Sequence, residues 1–207
     1  MTVADKLASS LGERGDGANV ALAKEICKTG DETALTVLVH LLETGKAKIQ
    51  SDCIKVLYEI GAERPELIAD HAAVFLRLIG SKNNHLQWGA MTALDYITPL
   101  RPELIAKNLA GIVTAANKGS IITRDHAVGL LAKLAQIKRY YAKCMPILFA
   151  QLKKAPDNQL AMYAEITAKA VSAKDQSAFI ALLKGRSRKL KKASQQRRIE
   201  KLLKSFS

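Results

Sequence analysis

The six residues Arg-Pro-Glu-Leu-Ile-Ala occur twice in this chain, at Arg64–Ala69 and again at Arg101–Ala106. The two copies start 37 residues apart. A short fixed period of this kind is typical of repeat architectures, in which each repeat packs mainly against its neighbours. The period therefore predicts the fold of most of the chain.

The same period also relates apolar positions outside the hexapeptide. We expect these positions to face the core, because each stands on the apolar side of a predicted helix. The period relates two series of positions: Leu57, Leu94, Leu131 and Ala168 form the first, and Ile60, Ile97, Leu134 and Val171 form the second.

The repeats are predicted to be pairs of helices. In the first clear unit, apolar residues at helical spacing predict one helix over 49–60 and a second over 65–79, which Pro65 begins. Further pairs are predicted over 19–43, from Trp88 to Gly119, and over 121–154 and 158–184. Pro146 predicts a kink or a late start in the helix that contains it.

No segment alternates apolar and polar residues as a strand does, so the sequence predicts an all-α fold. We expect a right-handed α-solenoid of about five antiparallel helix pairs in a single domain spanning 1–207. Its predicted parts are an N-terminal turn or cap (1–17), the repeats (18–184) and a basic amphipathic C-terminal helix (185–207).

Paired helices with a period of 37 residues and apolar inner faces resemble the HEAT and Armadillo repeats, and HEAT is the nearer of the two because the predicted unit has two helices. The resemblance implies a non-enzymatic scaffold that binds other proteins. One HEAT-like family consists of bacterial DNA glycosylases with catalytic Trp and Asp residues. Trp88 and Asp95 are present here, but the local motif of that family around them is not.

Sequence motifs of nucleotide-binding loops, serine hydrolases and zinc proteases are absent, so we expect no enzyme, cofactor or metal site. Packing or inter-repeat bonding is the expected role of Trp88, Asp95 and Asp125. The three cysteines show no metal or disulfide spacing, and no secretory leader is recognised. We therefore expect a cytoplasmic protein without integral membrane contact.

Positive charge is concentrated at the C-terminal end. The chain carries a net charge of +13, and ten basic residues against one acid give the part from Lys184 onward +9 of it. The residues expected to bind an acidic partner or phosphate groups are Arg186, Arg188, Lys189, Lys191, Lys192, Arg197 and Arg198. Three roles remain open for this segment: a cap on the last repeat, a nucleic-acid binder, or a ligand for an anionic membrane or an acidic groove.

A second, weaker group of candidates stands on the second helices of the predicted units, which would line a concave face. These residues are Arg77, Lys107, Lys143, Lys153 and Lys154. The sequence thus predicts a protein-binding scaffold with a basic C-terminal end for an acidic partner. The alternative is a sequence-nonspecific nucleic-acid binder, related to the HEAT-like glycosylases.

Overall fold

The computed structural model describes residues 2–206, and every regular element within them is a helix. The chain divides into two compact units between Ala127 and Val128. The α-helices of the first unit are α1 (Ala8–Leu11), α2 (Gly17–Thr29), α3 (Glu32–Thr44), α4 (Ala47–Glu63), α5 (Ala72–Leu78), α6 (Asn84–Ile97), α7 (Pro102–Lys107) and α8 (Leu109–Lys118). It also has short 3-10 helices at Ala4–Lys6, Pro65–Leu67 and Ala69–His71.

Helix α9 (Ile121–Ala135) spans the division. The second unit continues with α10 (Lys138–Lys154), α11 (Asp157–Ala168), α12 (Ala173–Ser187) and α13 (Ala193–Lys204). Helix α10 runs through Pro146, so the predicted late start at this proline is wrong. The division into two units was not predicted from the sequence.

The core of the first unit lies between the long helices α2, α4 and α6. Leu57 and Ile60 on α4, and Leu94 and Ile97 at the equivalent positions of α6, are fully buried. The two helices approach closely at Gly89, where an added Cβ would lie 2.7 Å from Cγ1 of Ile54. The 37-residue register therefore marks true core positions in these two helices.

The register is equally accurate at Leu131 and Leu134 of α9, which are buried, but it weakens further along the chain. Ala168 and Val171 are only half-buried. The positions related by the period are thus buried in the three repeats that begin with α4, α6 and α9, and only half-buried in the repeat that follows.

The predicted second helices are broken rather than continuous. The segment 65–79 consists of two 3-10 turns followed by α5, and the next unit has α7 and α8 in place of one helix. At the second break the Asn108 amide donates to the carbonyl of Leu104 (2.8 Å), a side-chain bond of the kind that competes with helix propagation. Each of these two repeats therefore contains more helical segments than the two predicted: α4, two 3-10 turns and α5 in the first, and α6, α7 and α8 in the second.

A hydrogen bond from a side chain to a backbone carbonyl also recurs with the period of 37 residues. The side chains of Gln50, Gln87 and Arg124 each donate to the carbonyl oxygen eight residues earlier, on Leu42, Ile79 and Ala116 (3.0, 3.0 and 3.3 Å). Each bond satisfies a carbonyl near the end of one helical segment from the first turn of the next long helix. This recurring bond, which we call the carbonyl clamp, links the end of one repeat to the first turn of the next.

Candidate functional site

The basic C-terminal end is built on a helix that packs against the second unit. Ile199 of α13 is fully buried, and the ring of Phe206 lies 5.4 Å from the ring of Phe179 on α12. The amide of Gln176 on α12 donates to the carbonyl oxygen of Phe206 (2.9 Å). The C-terminal segment therefore covers α11 and α12 with its apolar side, as the predicted role of a cap requires.

The predicted single helix over 185–207 is wrong in its bounds. Residues up to Ser187 complete α12, and α13 starts only at Ala193. Between them, Leu190 is buried and its carbonyl accepts a hydrogen bond from the amide of Gln196 (2.9 Å). The connection is thus a short segment that is anchored in its middle.

Two of the predicted binding residues are engaged within the chain. The guanidinium of Arg186 donates to the carbonyls of Leu152 (3.0 Å), Lys153 (2.5 Å) and Ala155 (2.8 Å), at the end of α10. It also lies 3.4 Å from a carboxylate oxygen of Asp157. Arg186 therefore satisfies the last carbonyls of a helix rather than facing solvent.

Arg198 forms a two-pronged ion pair with Glu165 of α11, with distances of 2.6 and 2.5 Å. The hydrogen bond to Glu165 raises the pKa of the Arg198 guanidinium. This pair fixes α13 on α11 and uses two of the five N–H donors of Arg198, whose side chain is otherwise exposed.

The other five predicted residues are exposed, and the structure records no ion pair for them within residues 2–206. They lie between the end of α12 and the first turns of α13. We call this group the basic loop, and its members are Arg188, Lys189, Lys191, Lys192 and Arg197. Because Leu190 is buried at its centre, the basic side chains around it are presented on an anchored backbone.

The weaker candidates do not form one group. Arg77 pairs with Glu43 within the first unit, and Lys107 is exposed at the end of α7. In the second unit, Lys143 is exposed in α10, and Lys153 and Lys154 form the last turn of that helix. The carbonyl of Lys153 is one of those that Arg186 binds, so these two lysines lie next to α12.

Trp88 belongs to an aromatic cluster on α4 and α6. Its indole lies 4.7 Å from the ring of His85 and 5.4 Å from the ring of Tyr58, centre to centre. The ammonium group of Lys55 lies 4.9 Å above the ring of Tyr58 and pairs with Glu59 at 2.7 Å. Burial lowers the pKa of His85, which favours its neutral form. The cluster mainly packs α6 against α4.

Asp95 lies deep on α6, and its carboxylate is 3.0 Å from Nδ1 of His126 on α9. The ring of Tyr96 meets the His126 ring edge-on at 6.3 Å. The pair joins two successive long helices, which is the bonding role that the sequence predicts for Asp95.

The cysteines are all buried and free. Burial raises the pKa of Cys53 to about 12 and that of Cys144 to about 11, so neither is a ready nucleophile. In the part of the chain that the structure describes, no group of three His, Cys, Asp or Glu side chains could hold a metal ion. None of the described helices has the length and apolarity to cross a membrane.

The fold is shared with known structures at low sequence identity. A designed armadillo repeat protein in complex with the peptide (KR)4 superposes with a TM-score of 0.69 at 15% identity, over 90% of this chain and 86% of its own. A computationally designed armadillo repeat protein for modular peptide recognition gives 0.70 at 16% identity, with 99% and 98% covered. An engineered protein from a structural genomics programme gives 0.63 at 18%, with 100% and 97% covered.

This chain has an armadillo-like helical-repeat fold. The all-α solenoid predicted from the 37-residue period is confirmed. No protein-family profile matches the chain, and no curated protein matches it significantly.

The sequence did not indicate which basic residues are engaged inside the protein. Arg186 stands in the last turn of α12, beyond the predicted end of the last repeat at residue 184, and its targets are carbonyls 31 to 34 residues earlier. The carbonyl clamp was also overlooked. It could have been found by applying the 37-residue register to polar positions as well as to apolar ones.

Proposed function

We propose that this protein is a non-enzymatic scaffold that binds other proteins, and that the basic loop binds an acidic segment of a partner. The observation that carries the proposal is the loop itself: five exposed basic side chains without a recorded internal ion pair, on a backbone anchored by Leu190. Potentials of this sign attract acidic partners and set the specificity of association.

The armadillo neighbours support the scaffold part of the proposal. One was solved with the peptide (KR)4, and another was designed for modular peptide recognition. The (KR)4 peptide is basic, and the basic loop of this chain would repel it. The proposed partner therefore differs in charge from that peptide: it is a Glu- or Asp-rich segment.

Nucleic acid is the second candidate for the same loop, because no acidic residue occurs between Lys184 and Arg198 and phosphate groups are attracted by such a cluster. Phe206 packs on Phe179, so it is not placed to stack on bases. Binding of nucleic acid through this loop would therefore be nonspecific in sequence.

The test compares two variants of equal net charge in fluorescence anisotropy with a labelled Glu-rich peptide and a labelled single-stranded DNA. The loop variant is R188Q/K189Q/K191Q/K192Q. The control variant, K24Q/K28Q/K46Q/K48Q, removes four exposed lysines of the first unit. We expect the loop variant to lose at least about tenfold in affinity for the peptide, while the control binds like the parent protein.

Equal losses in both variants would contradict the proposal, because the attraction would then come from net charge alone. Tighter binding of DNA than of the peptide, lost in the loop variant, would establish the nucleic-acid alternative. Parent-like binding by the loop variant would place the binding surface elsewhere on the chain.

A further inference from the structure

We propose that a lysine-lined cleft in the second unit binds a small organic polyphosphate. The cleft has a volume of about 860 Å³ and lies where the connection between α9 and α10 meets the connection between α11 and α12. Small-molecule sites usually measure about 300–1,000 Å³, so this cleft could hold a molecule of nucleotide size. It is separate from the basic loop.

Positive charge dominates the lining. Lys138, Lys169 and Lys174 all line the cleft, and none of the described residues that line it is acidic. The structure records no ion pair for these three lysines within residues 2–206. Ammonium groups are strong point-charge ligands for phosphate, and several together favour an anion with more than one negative charge.

Two helices begin at the cleft and add to this potential. Lys138 is the first residue of α10, and Ala173 and Lys174 open α12. In neither helix does the residue before the first turn cap the backbone with its side chain. The positive ends of two helix dipoles therefore border the same space as the three lysines.

The wall between the two helix starts is held by Tyr141. Its hydroxyl accepts hydrogen bonds from the Ser172 hydroxyl (2.7 Å) and backbone N–H (3.0 Å), and donates to the carboxylate of Asp175 (2.7 Å). Asp175 is thereby tied to Tyr141 and is not part of the lining. The ammonium group of Lys174 lies 5.0 Å above the tyrosine ring.

The other residues that line the cleft suit an uncharged organic part of the ligand. Four alanines and the ring of Tyr141 provide apolar surface beside the lysines. Apolar surface beside several ammonium groups favours a phosphate-bearing molecule with an uncharged organic part over inorganic phosphate alone.

Lys138 differs from the basic residues at the equivalent positions of the two preceding repeats. Lys138 follows Arg64 and Arg101 at intervals of 37. Arg64 pairs with Glu66 and Arg101 pairs with Asp70, so both equivalents are neutralised within the chain. At the third position no such pair is recorded for the basic residue, which instead faces a cleft.

The experiment is calorimetric titration of the full chain with ATP, pyrophosphate, inorganic phosphate and adenosine, at an ionic strength of about 0.15 M, where surface attraction is screened. We expect ATP and pyrophosphate to bind and adenosine not to bind. The variant K138Q/K174Q should weaken ATP at least about tenfold. The variant K138R/K174R, which keeps both charges, should keep most of the affinity.

The matched control is K191Q/K192Q, which removes two charges from the basic loop and should bind ATP like the parent chain. The proposal is overturned if ATP does not bind, if both glutamine variants lose affinity equally, or if adenosine binds as tightly as ATP. Because the cleft lysines are exposed, an unchanged thermal melt of K138Q/K174Q is expected and shows that the fold is intact. Failure here leaves the peptide test of the basic loop unaffected, since that test uses different residues.

Discussion

Two neighbouring arginines at the end of α12 have opposite roles. The side chain of Arg186 is 19% exposed and donates to three carbonyls, whereas Arg188, two residues later, is exposed and has no recorded ion pair in the described chain. Because guanidinium donors are arranged as a rigid fork, several carbonyls can be bound at once by Arg but not by Lys. Composition alone does not distinguish the two residues.

We predict that Arg186→Gln lowers the free energy of unfolding by about 2 kcal/mol, in the range for hydrogen bonds to charged groups. Arg188→Gln should change it by less than about 0.5 kcal/mol, as exposed substitutions do. Urea unfolding followed by circular dichroism measures both values. Equal effects of the two substitutions would contradict the internal role of Arg186.

The buried thiols give a prediction on pH. The pKa of Cys53 is raised by burial from 9.0 to about 12, so between these values the folded state keeps a proton that the unfolded state loses. Stability contributed by this group is therefore present below about pH 9 and declines as the pH rises above it.

We expect the free energy of unfolding to fall more steeply from pH 9 upward in the parent protein than in Cys53→Ala, as measured by urea titrations at several pH values. Ellman's reagent at pH 8 should label the folded chain slowly and all three thiols after unfolding. Rapid labelling of the folded chain would show that the thiols are accessible.

At the scale of elements, one side chain of α13 is buried against the rest of the protein. Ile199 is fully buried, while Leu202 and Leu203 on the same side are only half-buried. Truncation of a fully buried isoleucine to alanine costs about 2–5 kcal/mol, which is comparable to the stability of a docked terminal helix.

We predict that Ile199→Ala undocks α13 locally. Hydrogen exchange of the amides of 193–204 should become at least about tenfold faster, because a loss of 1.4 kcal/mol already gives that factor. Leu202→Ala serves as the control and should have a smaller effect. Unchanged protection of α13 in Ile199→Ala would show that the other contacts of the C-terminal segment, among them the ion pair between Arg198 and Glu165, hold the helix in place.

At the scale of the molecule, we expect the position of the charge to matter more than its sum. The net charge is +13, and the loop and control variants described above each remove four charges. Long-range steering of an acidic peptide accelerates association and is screened by salt over about 10 Å at 0.1 M.

We predict that the association rate of the Glu-rich peptide falls with salt in the parent and in the control, and that the fall is much smaller in the loop variant. Stopped-flow anisotropy at increasing salt measures these slopes. The same slope in both variants would mean that the peptide responds to the whole field of the protein and not to the loop.

Much of the architecture could be predicted because a period reports on burial. Leu57, Ile60, Leu94 and Ile97 recur at 37 residues and are all fully buried, since stacked repeats must cover the same face each time. The break at Asn108 could not be predicted with equal ease. It depends on a side-chain bond to Leu104 that competes with a helix of otherwise suitable residues.

By itself, the sequence determined the all-α repeat fold, its period and the concentration of charge after Lys184, because periodicity and charge are local properties of the chain. Only the tertiary structure decided which charges face outward. Arg186 meets carbonyls and Arg198 meets Glu165 about 30 residues away, and Lys138 opens into a cleft formed with residues 169–174. Such partners are set by how helices pack, and neighbouring residues in the sequence do not specify them.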